Sequence, residues 1–164
     1  ILRHGIAVDY GTQGYDVDSE RPLTPEGRKK LKKIAAAMKE LEVEFDVIVS
    51  SPYLRAKETA EIVAQEFGAA KMLRFSDHLV PDAGYRELID EMNKECADAK
   101  GILLVGHEPH LSGLVSLLVA GSPREASVDM KKAGLARLAC DKIEHGRCAH
   151  LEWLAPPKVM LRIG

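Results

Sequence analysis

The sequence predicts an α/β protein: a three-layer α/β/α sandwich built on a mostly parallel sheet and finished by C-terminal antiparallel strands. Three observations carry this. Short apolar runs, at Val47–Val49 and Ile102–Val105, alternate with longer segments whose apolar residues recur at helical spacing. The tail breaks the alternation, since Leu135–Cys140 and Leu151–Leu154 flank a turn at His145-Gly146 and read as an antiparallel hairpin with Trp153 facing inward. Finally, 164 residues without internal repeats or a Gly/Ser linker suit one domain spanning residues 1–164.

The elements follow in order. Ile1-Leu2 read as the tail of an apolar strand whose start lies outside the sequence, and they lead into Arg3-His4-Gly5. Leu31, Ile34, Ala35, Met38 and Leu41 form one face of a helix, with Thr24 as N-cap and Pro25 at the first helical position. The run Arg28, Lys29, Lys30, Lys32 and Lys33 fills its solvated face. The buried strand Val47–Val49 comes next, then Ser50-Ser51-Pro52 and a helix carrying Ala56, Ala60, Val63 and Phe67 on one side. Met72–Phe75 is a further strand and Tyr85–Cys96 a third helix. The strand Ile102–Val105 turns through Gly106-His107-Glu108-Pro109 into a helix that ends near Val119. Pro52 and Pro109 are expected at first helical positions.

Composition excludes several functions. Lys and Arg number 23 against 25 Asp and Glu, a formal net charge of -2, so no basic field exists to attract nucleic acid or an anionic membrane surface. Aromatic residues make up 5% of the chain, too few for a base-stacking platform or a carbohydrate groove. No apolar run approaches the roughly 20 residues of a membrane span. The three cysteines, Cys96, Cys140 and Cys148, show no Cys-x-x-Cys spacing, which fits a reduced, cytoplasmic chain with the thiols buried as small apolar groups.

Parallel strands bind ligands beyond their carboxyl ends, and three such ends carry unusual residues. Leu2 leads into Arg3-His4-Gly5, Val49 into Ser50-Ser51-Pro52-Tyr53-Leu54-Arg55, and Val105 into Gly106-His107. Each segment alone reads as a tight turn or a surface cation; together they gather two imidazoles with Arg3 and Arg55 at one rim, and Arg21, in Arg21-Pro22-Leu23-Thr24 at a helix entry, adds a third guanidinium. A metal site would need carboxylates or thiolates beside the histidines, and the guanidiniums would repel the cation. Ser51 lacks the Gly-x-Ser-x-Gly elbow of a serine nucleophile. The cluster suits a phosphoryl group, held by charge-assisted hydrogen bonds without a cofactor.

Arg3-His4-Gly5 followed late in the chain by His107 resembles the signature of the histidine phosphatase superfamily, with its phosphoglycerate mutase-like fold. Arg21-Pro22-Leu23-Thr24-Pro25-Glu26-Gly27, the segment Ser50 to Thr59, and Val105-Gly106-His107-Glu108-Pro109 resemble the SixA-type phosphohistidine phosphatase branch. The resemblance implies a metal-independent phosphatase in which His4 is the nucleophile and forms a covalent phosphohistidine. Arg3, Arg55 and His107 would hold the phosphoryl oxygens, with Gly5 and Ser51 in the binding site and Arg21 closing it from its loop. The pocket should accept phosphate or sulfate, and the substrate would be a phosphohistidine-bearing protein, either a histidine-phosphotransfer domain or a phosphocarrier.

The short chain has little room for the insertion that carries the general acid in larger members. Asp82, in Pro81-Asp82-Ala83-Gly84, is the candidate acid, with Glu87 nearby. An imidazole leaving group can already carry a proton, so a phosphohistidine substrate lessens the need for one. The alternatives are a small-molecule phosphomonoesterase, which would need the acid, and a non-catalytic phosphoprotein-binding module, which would have no use for His4.

Overall fold

A computed structural model of the chain describes residues 1–163. Its strands are β1 (Leu2–Arg3), β2 (Val47–Ser50), β3 (Leu73–Phe75), β4 (Ile102–Gly106), β5 (Leu135–Ala139) and β6 (His150–Ala155). Its helices are α1 (Pro25–Glu40), α2 (Leu54–Phe67), α3 (Tyr85–Glu95), α4 (His110–Ala120) and a short α5 (Pro157–Met160) that the sequence reading did not anticipate. The six strands form one sheet in the order β3-β2-β4-β1-β5-β6. The first four are mutually parallel, β5 runs antiparallel to β1, and β6 antiparallel to β5. The expected mostly parallel sheet with a C-terminal hairpin is what the chain forms.

The central strands show why this sheet is covered on both faces. Successive side chains point to opposite sides, and here both sides are apolar. Ile48, Leu103 and Val105 pack with Leu31, Ile34 and Met38 of α1 and Ala60 and Val63 of α2. Val47, Val49 and Leu104 pack on the other face with Leu88, Ile89 and Met92 of α3 and Leu111, Leu114 and Leu118 of α4. These are the outer layers of the α/β/α sandwich. Each fully buried leucine or isoleucine contributes roughly 1.5–3 kcal/mol, so the aliphatic core compensates for the scarcity of rings. Trp153 packs, partly buried, against the α1/α2 side.

Helix α1 starts as its sequence dictates: the Thr24 hydroxyl accepts from the Gly27 N–H at 3.0 Å, with Pro25 in the first turn. Two expectations need correction. Pro52 and Pro109 do not occupy first helical positions; α2 begins at Leu54 after Tyr53, and Pro109 is itself the residue before α4. Nor are the cysteines uniformly buried, for Cys96 is buried, Cys148 half-buried and Cys140 exposed. The latter two lie on the connection between β5 and β6, where the Cys148 N–H donates to the Leu118 carbonyl of α4 at 2.8 Å. Among the described residues, no helix is long and apolar enough to cross a membrane.

Candidate active site

Strands β1, β4 and β2 are neighbours, so their carboxyl ends open on one rim. The register carries past the strands: Arg3 lies opposite Gly106, the His4 N–H donates to the Gly106 carbonyl at 3.0 Å, and the Ser51 N–H donates to the Val105 carbonyl at 2.9 Å. His4 and His107 are thereby side by side, with ring centroids 5.1 Å apart and planes inclined by 50°. Both are buried, at 6% and 1% exposure.

His4 Nδ1 lies 2.7 Å from the carbonyl oxygen of Gly5. A carbonyl can only accept, so Nδ1 carries the hydrogen and Nε2 keeps its lone pair. Burial pushes the His4 pKa down to about 3, against the pull of the Gly5 carbonyl and with help from Arg55, Arg3 and Lys132. At neutral pH the ring is an uncharged base among cations.

Gly5 has no room for a side chain. A Cβ there would fall 2.5 Å from Leu31 Cδ1 and 3.2 Å from Leu23 Cδ2, both on fully packed residues. Its N–H donates to Thr59 Oγ1 at 3.1 Å, and the Thr59 hydroxyl donates to the Arg55 carbonyl at 2.7 Å. Thr59, which the sequence reading passed over, thus ties the His4 loop to α2. Gly5→Ala is expected to cost about 1–3 kcal/mol of stability from overpacking and to lower activity by shifting the carbonyl that orients His4. Thermal unfolding read alongside kcat checks this, and unchanged values in both would refute it.

His107 Nε2 is 2.8 Å from Ser51 Oγ, and that oxygen also accepts the Tyr53 N–H at 3.3 Å. Donation of the Ser51 hydroxyl to Nε2 places the ring hydrogen on Nδ1, and the opposite direction places it on Nε2. Nδ1 is buried and has no partner. Burial lowers the His107 pKa to about 2, with Arg55 and His4 adding to the effect. His107 is therefore uncharged at neutral pH in the free protein.

The arginines are anchored by their terminal nitrogens. Arg3 Nη1 donates to the Met130 carbonyl at 2.7 Å, while Arg3 Nε is buried and unpartnered. Arg55 donates from Nη1 to the Asp18 carbonyl at 2.7 Å and from Nη2 to Asp18 Oδ2 at 2.9 Å; its Nε is likewise buried and unpartnered. Arg21 donates from Nε and Nη2 to Asp18 Oδ1, at 2.9 and 2.7 Å, and from Nη1 to the Val8 carbonyl at 2.6 Å. The partner of Arg21 is therefore Asp18 rather than the adjacent Glu20. Asp18 escaped the sequence reading, and the three-residue spacing Asp18-Ser19-Glu20-Arg21 was the signal available.

The structure thus brings His4, His107, Arg3, Arg55, Gly5 and Ser51 together, with Arg21 one residue removed behind Asp18. Asp82 is exposed and makes no hydrogen bond or ion pair with any of them among the described residues. Glu87 is also exposed, with its carboxylate folded against Gly84. Among the described residues no group of three or more His, Cys, Asp and Glu side chains is arranged to hold a metal ion. Arg3 Nε, Arg55 Nε and His107 Nδ1 are buried without partners in the same cluster as the uncharged His4 ring, an arrangement that suits a tetrahedral oxyanion.

Comparison with known proteins bears on the family and the fold. Residues 1–79 match the model of the histidine phosphatase superfamily (branch 1). An uncharacterized protein of the cyanobacterium Picosynechococcus is 32% identical over 98% of this chain and 96% of its own length. The structure of the protein histidine phosphatase SixA complexed with tungstate superposes with a TM-score of 0.82 at 24% identity, covering 96% of this chain and 95% of that one. A mycobacterial glucosyl-3-phosphoglycerate phosphatase shares the fold at a TM-score of 0.67 and 18% identity, covering 94% and 96%. The chain belongs to the histidine phosphatase superfamily, and its fold is that of the SixA-type branch.

Proposed function

We propose that this phosphatase, acting as one domain over residues 1–164, removes the phosphoryl group from phosphohistidine on a protein, without a metal ion and through a phosphohistidine at His4. The observation that carries this reading is the Nδ1–H of His4 held on the Gly5 carbonyl, which leaves Nε2 as a neutral nucleophile. Nε2 attacks phosphorus in line as the P–N bond to the substrate imidazole breaks. The bonding pair passes to the leaving nitrogen, which takes up a proton. Water then attacks the phosphoryl group on His4, releasing phosphate and restoring the free ring.

Arg3 Nε–H, Arg55 Nε–H and His107 Nδ1–H supply donors to the equatorial oxygens, so catalysis rests on positioning and charge. With the Ser51 hydroxyl donating to Nε2, the His107 hydrogen lies on Nδ1. Asp82 remains the candidate acid only if its loop closes on the substrate; an imidazole leaving group makes that step dispensable. A rim without a large insertion suits a macromolecular substrate, a histidine-phosphotransfer domain or a phosphocarrier.

A phosphomonoesterase acting on a small molecule is the second reading, favoured by the fold shared with the mycobacterial sugar-phosphate enzyme. Phosphate release from a histidine-phosphorylated carrier protein in excess EDTA tests the first. We expect release to persist under EDTA and phosphoramidate to be hydrolysed far faster than an alkyl phosphate. The reverse preference would favour the phosphomonoesterase, and loss of activity under EDTA would overturn metal independence.

A further inference from the structure

Asp18 lies in a 3-10 turn, Asp18–Glu20, on the loop between β1 and α1. Arg55 grips this turn with the terminal edge of its guanidinium, through Nη1 on the main-chain carbonyl and Nη2 on Oδ2. With that edge occupied, the edge left for an anion is the lateral one, which carries the buried, unpartnered Nε–H. On its other side the Asp18 carboxylate takes two bonds from Arg21, whose remaining Nη1 is bound to the Val8 carbonyl. The donors of Arg21 thus end on Asp18 and on its own loop.

A carboxylate beside a phosphate-binding arginine has two physical readings. It can occupy the place of the phosphoryl oxygens and be displaced by them, or it can fix the arginine for them. The geometry separates the two. Half of the grip on Arg55 is a backbone carbonyl, which no incoming anion replaces, and the Nε–H stays free while the grip is intact. A planar fork held at one edge presents the other at a fixed angle, whereas an unheld guanidinium on a flexible stem loses that orientation.

We infer that Asp18 is a positioning residue: with Arg21 behind it, it fixes Arg55 so that the lateral edge of the guanidinium meets the phosphoryl oxygens. The inference rests on Arg55 binding the phosphoryl group, as in the function proposed above. It also assigns Arg21 a role exerted through Asp18 rather than on substrate.

The test is a mutant cycle of Asp18→Ala, Arg21→Ala and the double variant, with Arg55→Ala as reference. Tungstate affinity is measured by calorimetry, and kcat and KM on phosphoramidate by phosphate release. Removing Asp18 should lower kcat and weaken tungstate binding, each by roughly ten- to a hundredfold, the scale of a charge-assisted hydrogen bond. The double variant should be no worse than the worse single one. Deleting a negative charge would by itself tighten anion binding, so tighter or unchanged tungstate affinity in folded Asp18→Ala overturns the inference. Multiplying losses in the double variant overturn the relay. Should Asp18→Ala fail to fold, Asp18→Leu is read the same way, since it is near in size to Asp and has no acceptor for Arg55. Wild-type protein that binds tungstate but releases no phosphate refutes the phosphatase reading alone, with Asp18 then judged by affinity. Wild-type protein that binds no tungstate overturns both.

Discussion

His4→Ala is expected to abolish phosphate release, by at least about a thousandfold, because no other group in the site has a lone pair aimed at phosphorus. His107 is bound to Ser51 through Nε2. Stability should hardly fall, since the ring removed is a buried polar group wedged beside Arg3 and Arg55 rather than an aliphatic one filling the core. The same variant should fail to take up phosphate from a labelled phosphohistidine protein under acid-free quench, where the wild type shows a transient label on the chain. Full activity in folded His4→Ala would eliminate the covalent mechanism.

The second large effect is on stability at mildly acidic pH. His4, His107 and His110 have their pKa values pushed down to about 3, 2 and 4, in each case chiefly by burial. Unfolded, each titrates near its ordinary value of about 6.5. Below about 6.5 the unfolded chain therefore binds protons that the native protein refuses, so stability falls as pH drops. The fall amounts to at most about 1.4 kcal/mol per pH unit for each histidine, or about 4 for the three together, until the native values are reached.

Urea unfolding at pH 7, 6 and 5 measures this, and equal stabilities at pH 7 and 5 would refute it. His110 supplies an internal control. Its ring stacks on Tyr85 at 4.8 Å and 17°, and both its nitrogens are buried without partners. His110→Phe should keep the stacking, remove one third of the slope, and raise stability at pH 5 more than at pH 7.

Most of the architecture was legible because its causes are local. The alternation of strand and helix patterns, the Thr24-Pro25 start of α1 and the apolar faces of Leu31 and Val63 are properties of neighbouring residues, and each appears where the pattern puts it. The departures are also instructive. Pro52 and Pro109 fall just outside their helices because the first helical hydrogen bonds are accepted by the carbonyls of Tyr53 and Pro109, so the helices open at Leu54 and His110. Cys140 and Cys148 are apolar enough to be buried, but they lie on the connection between β5 and β6, whose placement is set by contacts far away in the chain.

The sequence by itself determined the class of fold and the chemistry available: two histidines, three arginines and a glycine at strand ends and helix entries, on a chain whose net charge leaves positive potential only as a local feature. Only the tertiary structure decided how those groups divide the work. The His4 tautomer is fixed by the adjacent Gly5 carbonyl, while hydrogen bonds between residues far apart in the chain seat His107 on Ser51, take up the terminal nitrogens of Arg3 and Arg55 with Nε left unpaired, and join Asp18 to Arg55 across 37 positions. A carboxylate on a surface-like loop becomes part of the site because the parallel sheet carries α2 up to it, a contact that no local pattern encodes.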